Sequence, residues 1–379
     1  MRLRKLPALI GVAISTMALF SNSPSAAYLL ATSTTEVLRF DEITGAFVDV
    51  FISFGDSDVF PRMTFGPDGA LYMPVNADVL RFNGFTGTFL GVFVPEGSGG
   101  LHLPIKAVFG PDCSLYVANG GAEVLRYQGK TGDFVDVFVP PSGRLSDTIK
   151  DMVFGPDGNL YVVADGDVLR YDGRTGAFLG TFVPAGAGGL SSAVRLAFGP
   201  DGNLYVSNFA SQFELPRVYK FDGTTGAFLD VFGQDLGSDS FISAIAFGPD
   251  GLLYVSLLGL GAIVRYDAET GVPLGAFIQL DGVPVFSLAF TPKLDLTQID
   301  DIAGLVASLR LPSGIKASLD ASLRSARVAI DMGHLIPAGN ELNAFKNKVQ
   351  AHTGNLIPVP QANRMVIAAD ALRNTLACR

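Results

Sequence analysis

One pentapeptide recurs through most of the chain and limits what the chain can fold into. Phe-Gly-Pro-Asp-Gly occurs four times; a fifth copy at 109–113 ends in Cys, and Phe290-Thr-Pro-Lys is a degenerate sixth. The exact copies occupy residues 65–69, 154–158, 198–202 and 247–251. Successive copies lie 43 to 49 residues apart. This period is typical of a propeller blade made of four strands.

Each repeat unit predicts the same four strands. The first strand ends in the pentapeptide, and the others follow the pattern of 160–163, 168–171 and 177–183. Pro-Asp-Gly and the Asp-Gly-x-Thr-Gly pattern supply the backbone angles that tight hairpin turns require. Short β-rich runs with turns every 8–12 residues favour strands over helices.

The strand count predicts how the ring closes. Strands two to four occur six times, beginning at Tyr28, whereas the last copy of the first strand is 286–290. The start of the chain therefore supplies three strands of one blade and the end of the repeats supplies the fourth. Such a three-plus-one clasp leaves no blade with a missing strand and no extra exposed edge. We expect a mainly β fold, a six-bladed β-propeller over residues 28–293.

The repeat Phe-Gly-Pro-Asp-Gly-x-Leu-Tyr-Val resembles NHL-type propeller repeats, and more broadly the gluconolactonase/regucalcin and streptogramin lyase superfamily. The resemblance covers residues 28–293 and implies a β-propeller. In the enzymes of that superfamily the central channel holds a metal ion bound by residues of the inner strands, and the lyases use a His as general base. Fold alone does not determine which function a member has.

The corresponding channel residues differ from the metal ligands that the resemblance implies. They are Pro61, Ile105, Lys150, Val194, Ser243 and Phe286. A divalent cation requires several converging oxygen ligands, and none of these residues is a carboxylate or Asn. We therefore expect no metal and no cofactor. His102 is the only His between residues 28 and 293, has no visible pairing partner, and is expected to be solvated.

The next residue of each inner strand gives the candidate site. We call it the channel position, and it lies three residues before the Phe that ends the strand. From blade to blade it is Arg62, Lys106, Asp151, Arg195, Ala244 and Ser287. Arg62, Lys106 and Arg195, with the adjacent Lys150, could bind a small anion or an acidic side chain of a partner. Alternatively, these cations neutralise nearby acids, namely Asp78, Asp147, Asp151 and Asp165.

The first 27 residues have the pattern of a secretory signal peptide. Arg2, Arg4 and Lys5 precede the apolar segment 6–20, and small residues at 25–27 predict cleavage after Ala27. We expect an exported protein, whether periplasmic, cell-surface or extracellular, with a mature net charge of −12. No later segment predicts a membrane span, and this charge disfavours nucleic acid as a partner.

Residues 294–379 change character. After a linker at 294–297, apolar residues recur at helical spacing and predict a small all-α module over 298–379. The four stripes include Ile299 to Val306, Leu319 to Ile330, Leu342 to Val349, and Val366 to Leu376. Residues 341–349 resemble the FIMAH-type module of secreted bacterial proteins, which implies no catalysis. Cys113 and Cys378 either form a disulfide or remain two unpaired thiols.

These features predict an exported, non-catalytic propeller that acts as a binding or assembly module. Its variable loops, at 119–123, 207–216 and 234–240, all lie at the end of the blades opposite the repeated turns, where recognition concentrates. The partner would be a protein or a small anionic ligand. The alternative is a metal-dependent lyase or lactonase of the streptogramin lyase or gluconolactonase type.

Export can be tested on the secreted protein. N-terminal sequencing of material recovered outside the cytoplasm should begin at Tyr28, because cleavage after Ala27 removes the signal peptide. Exported protein that still carried Met1 would contradict this prediction.

Overall fold

Each copy of the repeat folds into one antiparallel sheet of four strands, and there are six such sheets. The computed structural model describes residues 28–55, 62–120, 122–141, 145, 149–208, 215–232, 236, 241–291, 297–331 and 335–359, and residues 361, 362, 365, 366 and 369. The predicted six-bladed propeller with helices after it is confirmed. The predicted signal peptide, 1–27, lies outside the described residues.

The strands of the first three blades are as follows. Blade 1 consists of β1 (Tyr28–Thr32), β2 (Glu36–Asp41), β3 (Phe47–Ser53) and β24 (Ser287–Phe290). Blade 2 consists of β4 (Thr64–Phe65), β5 (Leu71–Val75), β6 (Asp78–Phe82) and β7 (Phe89–Val94). Blade 3 consists of β8 (Pro104–Phe109), β9 (Leu115–Asn119), β10 (Glu123–Tyr127) and β11 (Phe134–Val139).

The other three blades repeat this order. Blade 4 consists of β12 (Asp151–Phe154), β13 (Leu160–Ala164), β14 (Asp167–Tyr171) and β15 (Phe178–Val183). Blade 5 consists of β16 (Ala193–Phe198), β17 (Leu204–Asn208), β18 (Val218–Phe221) and β19 (Phe228–Phe232). Blade 6 consists of β20 (Ile242–Phe247), β21 (Leu253–Leu257), β22 (Ala262–Tyr266) and β23 (Pro273–Gln279).

The clasp closes blade 1 as predicted. β24 pairs with β1 in antiparallel register, with Leu29 opposite Phe290 and Thr32 opposite Ser287. The backbone N–H of Tyr28 also donates to Thr291 Oγ1 at 2.7 Å. The inner strand of blade 1 therefore comes from the end of the repeats and its other three strands from their beginning.

A repeated Tyr joins each of blades 2 to 6 to the next blade around the ring. Tyr116 of β9 packs edge-on against Phe138 of its own outer strand and against Phe154 of blade 4, with ring centroids 4.7 and 4.9 Å apart. The equivalent contacts across blades are Tyr72–Phe109, Tyr161–Phe198, Tyr205–Phe247 and Tyr254–Phe290. The Tyr of one blade and the pentapeptide Phe of the next blade therefore form one packing contact.

The same Tyr is hydrogen-bonded within its blade. In blade 5 the Tyr205 hydroxyl donates to Asp201 Oδ2 at 3.1 Å, and Lys220 Nζ lies 2.9 Å from that oxygen. Burial raises the pKa of Tyr205 to about 12, which keeps the hydroxyl protonated as a donor. The equivalent Tyr–Asp pairs are Tyr72–Asp68, Tyr116–Asp112, Tyr161–Asp157 and Tyr254–Asp250. The turn Asp thus holds the second strand to the turn, and in blade 5 it also pairs with the third.

The two ends of the blades differ in their connections. The Pro-Asp turns join strands one and two, and the Thr-Gly turns join strands three and four, so both turn types lie at one end, the turn face. The connections between blades lie at the opposite end, the loop face. The inner strands start at the loop face, which is where Asp151 and Ser287 stand as first residues of β12 and β24.

Cys113 occupies a backbone conformation that otherwise belongs to Gly. Its φ is +66°, and in the four exact motif copies the same position is Gly with φ between +76° and +79°. A side chain in this left-handed region costs roughly 1–2 kcal/mol. Cys113 is disulfide-bonded, so of the two alternatives for the cysteines the structure has the disulfide. Cys378 lies outside the described residues.

Within the described part of the C-terminal region, the helices that follow the propeller are α1 (Thr297–Ser308), α2 (Ser313–Asp331) and α3 (Leu335–Ala351). Their predicted stripes form one separate core in which Ile302, Leu319 and Phe345 are fully buried. Val366 and Ala369 of the fourth stripe pack in this core, whereas the rest of that stripe lies outside the described residues. None of the described helices combines the length and the apolar character needed to cross a bilayer.

Removing β24 tests the clasp. A chain that ends after Val285 should unfold with a free energy about 3 kcal/mol lower than a chain that ends after Thr291, since Leu288 and Phe290 no longer cover the edge of β1. Both chains lack the helices, so thermal and urea unfolding compare the clasp alone. Identical transitions would show that blade 1 does not depend on the clasp.

Candidate functional site

Residues at the channel position of all six blades meet at one cavity on the propeller axis. The cavity has a volume of about 40 Å³. The six channel residues that line it are Arg62, Lys106, Asp151, Arg195, Ala244 and Ser287. The cations come from blades 2, 3 and 5, and the one carboxylate from blade 4. We call Arg62, Lys106, Asp151 and Arg195 the axial cluster.

The two arginines are held by backbone carbonyls. Arg62 of blade 2 reaches across the channel, and one terminal N–H donates to the Lys150 carbonyl of blade 4. Arg195 Nε donates to the Ser243 carbonyl of blade 6 at 2.6 Å, and a terminal nitrogen donates to the Val194 carbonyl at 3.1 Å. These bonds fix both guanidinium groups but leave their charge uncompensated, since a carbonyl carries no formal charge.

Asp151 compensates one of the three cations. Its Oδ1 lies 3.7 Å from Lys106 Nζ and accepts from its own following amide, Met152 N, at 3.0 Å. Its Oδ2 accepts from Leu196 N of blade 5 at 3.1 Å. The Asp151 side chain is only 6% exposed, so this carboxylate acts from inside the channel. The axial cluster therefore has a formal charge of +2.

The pKa values report this excess of positive charge. Loss of hydration lowers the pKa of Arg62, of Lys106 and of Arg195, the last to about 10. Arg62 and Arg195 further lower the pKa of Lys106, and Arg62 lowers that of Arg195. Asp151 opposes the effect at all three cations. The charged state of the cluster is thus held at a cost in free energy.

Two of the expected neutralising contacts have other partners. The Lys150 side chain does not line the cavity, and its Nζ donates to Ser192 Oγ at 3.2 Å. Asp78 Oδ1 instead accepts from the Glu96 amide at 2.8 Å, which fixes the loop after β7. Asp147 lies outside the described residues. Of the acids predicted to neutralise the site, Asp151 is the one with a described ion pair to a cluster cation.

The sequence resemblance assigns six inner-strand positions to the metal ligands of the enzymes of that superfamily. Ile105, Lys150, Val194, Ser243 and Phe286 are described, and Pro61 lies outside the described residues. The Ser243 hydroxyl is buried and is bonded to Ser256 Oγ at 3.0 Å and to the Val285 carbonyl. Among the described residues, no group of three or more His, Cys, Asp and Glu side chains is placed to hold a metal ion.

His102 has a partner that the sequence did not reveal. Its Nδ1 lies 3.0 Å from Asn119 Nδ2 and 3.1 Å from the Gly100 carbonyl. Asn119 is fully buried, and its Nδ2 also donates to Glu123 Oε1 at 2.7 Å. His102 is exposed, as expected of a solvated residue, but it has a side-chain partner in Asn119. The signal was missed because these residues become neighbours only when the loop before β8 folds over the end of β9.

Comparisons with known proteins identify the fold. No family model matches the chain, and no curated protein matches its sequence. A protein of unknown function from Bacteroides caccae is similar in structure, with a TM-score of 0.52, 13% identity, and coverage of 70% of this chain and 99% of that one. A chain in a nidogen/laminin complex is similar with a TM-score of 0.55, 13% identity and the same coverage. At this identity the similarity shows the β-propeller fold alone.

Asp151→Asn tests the electrostatics of the cluster. Asn keeps an oxygen that can accept from Leu196 N but removes the charge, leaving three cations without an anion. The free energy of unfolding at pH 7 should fall by about 3 kcal/mol, as when one partner of a buried ion pair is removed. Urea unfolding at low ionic strength measures the change. A loss no larger than that of a surface Asp→Asn substitution would contradict this electrostatic description.

Lys106→Met should have the opposite sign. The pKa of Lys106 lies below its usual 10.5, so its charge lowers stability fully below the folded-state pKa, and the loss disappears as pH rises towards 10.5. Met removes the charge, so stability at pH 7 should rise by on the order of 1 kcal/mol. The gain in stability of Lys106→Met over the wild type should therefore be smaller at alkaline pH than at pH 7. Destabilisation by Lys106→Met would show that its pair with Asp151 outweighs its burial.

Proposed function

We propose that the protein is an exported, non-catalytic binding or assembly module of the NHL type, which recognises an acidic group of its partner at the axial cluster. The observation that carries this proposal is a comparison among the six blades. Scaffold positions such as the turn Asp and the second-strand Tyr recur, whereas the channel position carries five different residue types. Because the residues that build the blades recur while the channel position varies, we assign the function particular to this protein to the channel position.

The turn face supports this assignment because its polar groups are used by the fold. Asp172 Oδ1 accepts from both the amide and the hydroxyl of Thr175 at 2.9 Å, which lowers the pKa of Asp172. Asp222 and Asp267 make the same bonds in blades 5 and 6. The axial cluster differs, since Arg62 and Arg195 have no ion pair among the described residues and the one carboxylate of the cluster pairs with Lys106.

An acidic group is the chemistry that fits this site. Residues 28–293 carry a net charge of −14, so the rest of the propeller repels anions and the positive field is confined to the channel. Low-dielectric walls focus such a field, and guanidinium groups bind carboxylates through paired N–H donors. The similar chain in the nidogen/laminin complex comes from a complex between proteins, which agrees with a protein partner here.

The remaining parts of the proposal concern export and the C-terminal module. A disulfide at Cys113 is typical of proteins from oxidising compartments and supports a periplasmic, cell-surface or extracellular location. The helical module, which resembles the FIMAH type at 341–349, carries a net charge of +3 over 298–379 and would assist assembly rather than catalysis.

A metal-dependent lyase or lactonase of the streptogramin lyase or gluconolactonase type is the second candidate. The contact between His102 and Asn119 favours it, because a buried amide could orient the ring of a general base. The described metal positions disfavour it, since Ile105, Val194 and Phe286 offer no side-chain oxygen. Metal-dependent turnover of lactones or streptogramins distinguishes this candidate from a binding module.

A glutamate-rich peptide tests the proposed function. The full protein should bind immobilised oligoglutamate in low salt, and the pair Arg62→Gln and Arg195→Gln should weaken binding roughly tenfold or more, because each lost charged hydrogen bond is worth more than 1 kcal/mol. Arg174→Gln is the matched control, since Arg174 is exposed on the turn face. Equal binding by the cluster variant and the control would contradict the proposal, as would metal-dependent turnover by the wild type.

A further inference from the structure

The axial cluster is unevenly distributed around the channel. In ring order the channel residues are Ser287, Arg62, Lys106, Asp151, Arg195 and Ala244. Asp151 lies between Lys106 and Arg195 and pairs with Lys106. On the other side, the two small residues Ala244 and Ser287 separate Arg195 from Arg62. The open side of the cavity is therefore the side on which two arginines have no carboxylate between them.

Backbone amides of the inner strands point into the ring at a fixed position. Met63 N of blade 2 donates to Ser287 Oγ of blade 1 at 3.2 Å, and Leu196 N of blade 5 donates to Asp151 Oδ2 of blade 4 at 3.1 Å. In both cases the amide follows a channel residue and binds the channel residue of the preceding blade. The inner strand thus turns this N–H away from its sheet and towards the neighbouring blade.

The same amides on the open side face channel residues that cannot accept a hydrogen bond. They belong to Ile245 of blade 6 and Leu288 of blade 1, and both residues line the cavity. The channel residues of the preceding blades are Arg195 and Ala244, and neither side chain has an acceptor atom. Two amide donors and the Arg195 guanidinium group thus border the open side, and Arg62, whose terminal N–H reaches the Lys150 carbonyl of blade 4, lines the same cavity. This arrangement suits an anion.

The size and the walls of the cavity restrict the anion. One water molecule requires roughly 10–15 Å³ of such volume, so 40 Å³ accommodates about three heavy atoms, the number in a carboxylate group. The walls beside the arginines are apolar: Leu196, Ile245, Phe286 and Leu288. Cations on one side and hydrocarbon on the other match a carboxylate on an alkyl stem better than a phosphate, which has five heavy atoms and no apolar part.

We propose that the open side of the axial cavity binds one alkyl carboxylate, held by Arg62, Arg195 and the amides of Ile245 and Leu288. This inference rests on the proposed function and names the ligand class of the same site. In blade 4 the channel residue Asp151 accepts a hydrogen bond from Leu196 N of the next blade. In blade 6 the channel residue is Ala244, and the bound carboxylate takes the corresponding role by accepting from Leu288 N of blade 1. The same chemistry can come from a free short-chain acid or from a Glu or Asp side chain of a partner.

Substitution of Ala244 tests the site directly. Ala244→Asp builds the missing carboxylate into the ring, so it should abolish acetate binding and raise the melting temperature of the full protein in the absence of acetate. Ala244→Asn is the matched neutral variant, since it supplies an acceptor of similar size without charge; it should also block acetate by filling the cavity, but it should not raise the melting temperature as Ala244→Asp does. Titration calorimetry with sodium acetate against sodium chloride at equal ionic strength gives the affinities.

The arginines provide the second set of variants. Arg62→Gln or Arg195→Gln should each weaken acetate binding about tenfold or more, whereas Arg174→Gln should not change it. Acetate binding that survives Ala244→Asp would overturn the inference, as would stronger binding of phosphate than of acetate, or no binding of acetate by the wild type. If the two arginine variants and Arg174→Gln behaved alike, the anion would bind elsewhere.

The two proposals fail in distinguishable ways. If oligoglutamate binds through the arginines but acetate does not bind, the recognition function holds and the carboxylate cavity is wrong. If acetate binds with the predicted variant pattern but oligoglutamate does not, the cavity exists and its ligand is a free acid rather than a partner side chain. Binding of both, each lost in Ala244→Asp, supports insertion of an acidic side chain into the channel.

Discussion

The ring of blades depends on one aromatic contact that the chain repeats from blade to blade. A buried Tyr of the second strand packs edge-on against the Phe that ends the inner strand of the next blade, at 4.8–5.0 Å between centroids. Edge-to-face contacts of this kind add to the hydrophobic stabilisation of large aromatic side chains. Since the Tyr hydroxyl also binds the turn Asp, the same residue fixes the turn, the blade and its neighbour.

This division of labour leaves the loop-face end of the inner strands free to vary. Asp201 or Tyr205 cannot change without affecting a turn and two blades, whereas the channel residues contact groups around the axis at the loop-face end of the inner strands. At this level the propeller has three cations and one carboxylate, although residues 28–293 as a whole carry a net charge of −14. Burial makes those charges unfavourable without an anion, which is the physical basis for the binding site proposed there.

Much of this arrangement could be predicted from the sequence because it is periodic. The count of strands predicted the clasp between β24 and β1, and the position three residues before each Phe predicted which side chains would line the channel. Lys150 follows the channel level less closely, because alternation along a strand turns neighbouring side chains to opposite faces, and its amine donates to Ser192 Oγ. The partner of His102 was missed because the loop that holds it follows no repeat.

The sequence by itself determined the number of blades, their order and the closure of the ring, because turns and alternating strands are encoded by neighbouring residues and recur at a fixed period. Only the tertiary structure decided which charges compensate one another. Arg62 reaches the Lys150 carbonyl, and Asp151 takes Lys106 and Leu196 N, across separations of 45 to 88 residues. Such pairings depend on where six blades converge in space, and no local pattern in the chain specifies which side of that ring stays open.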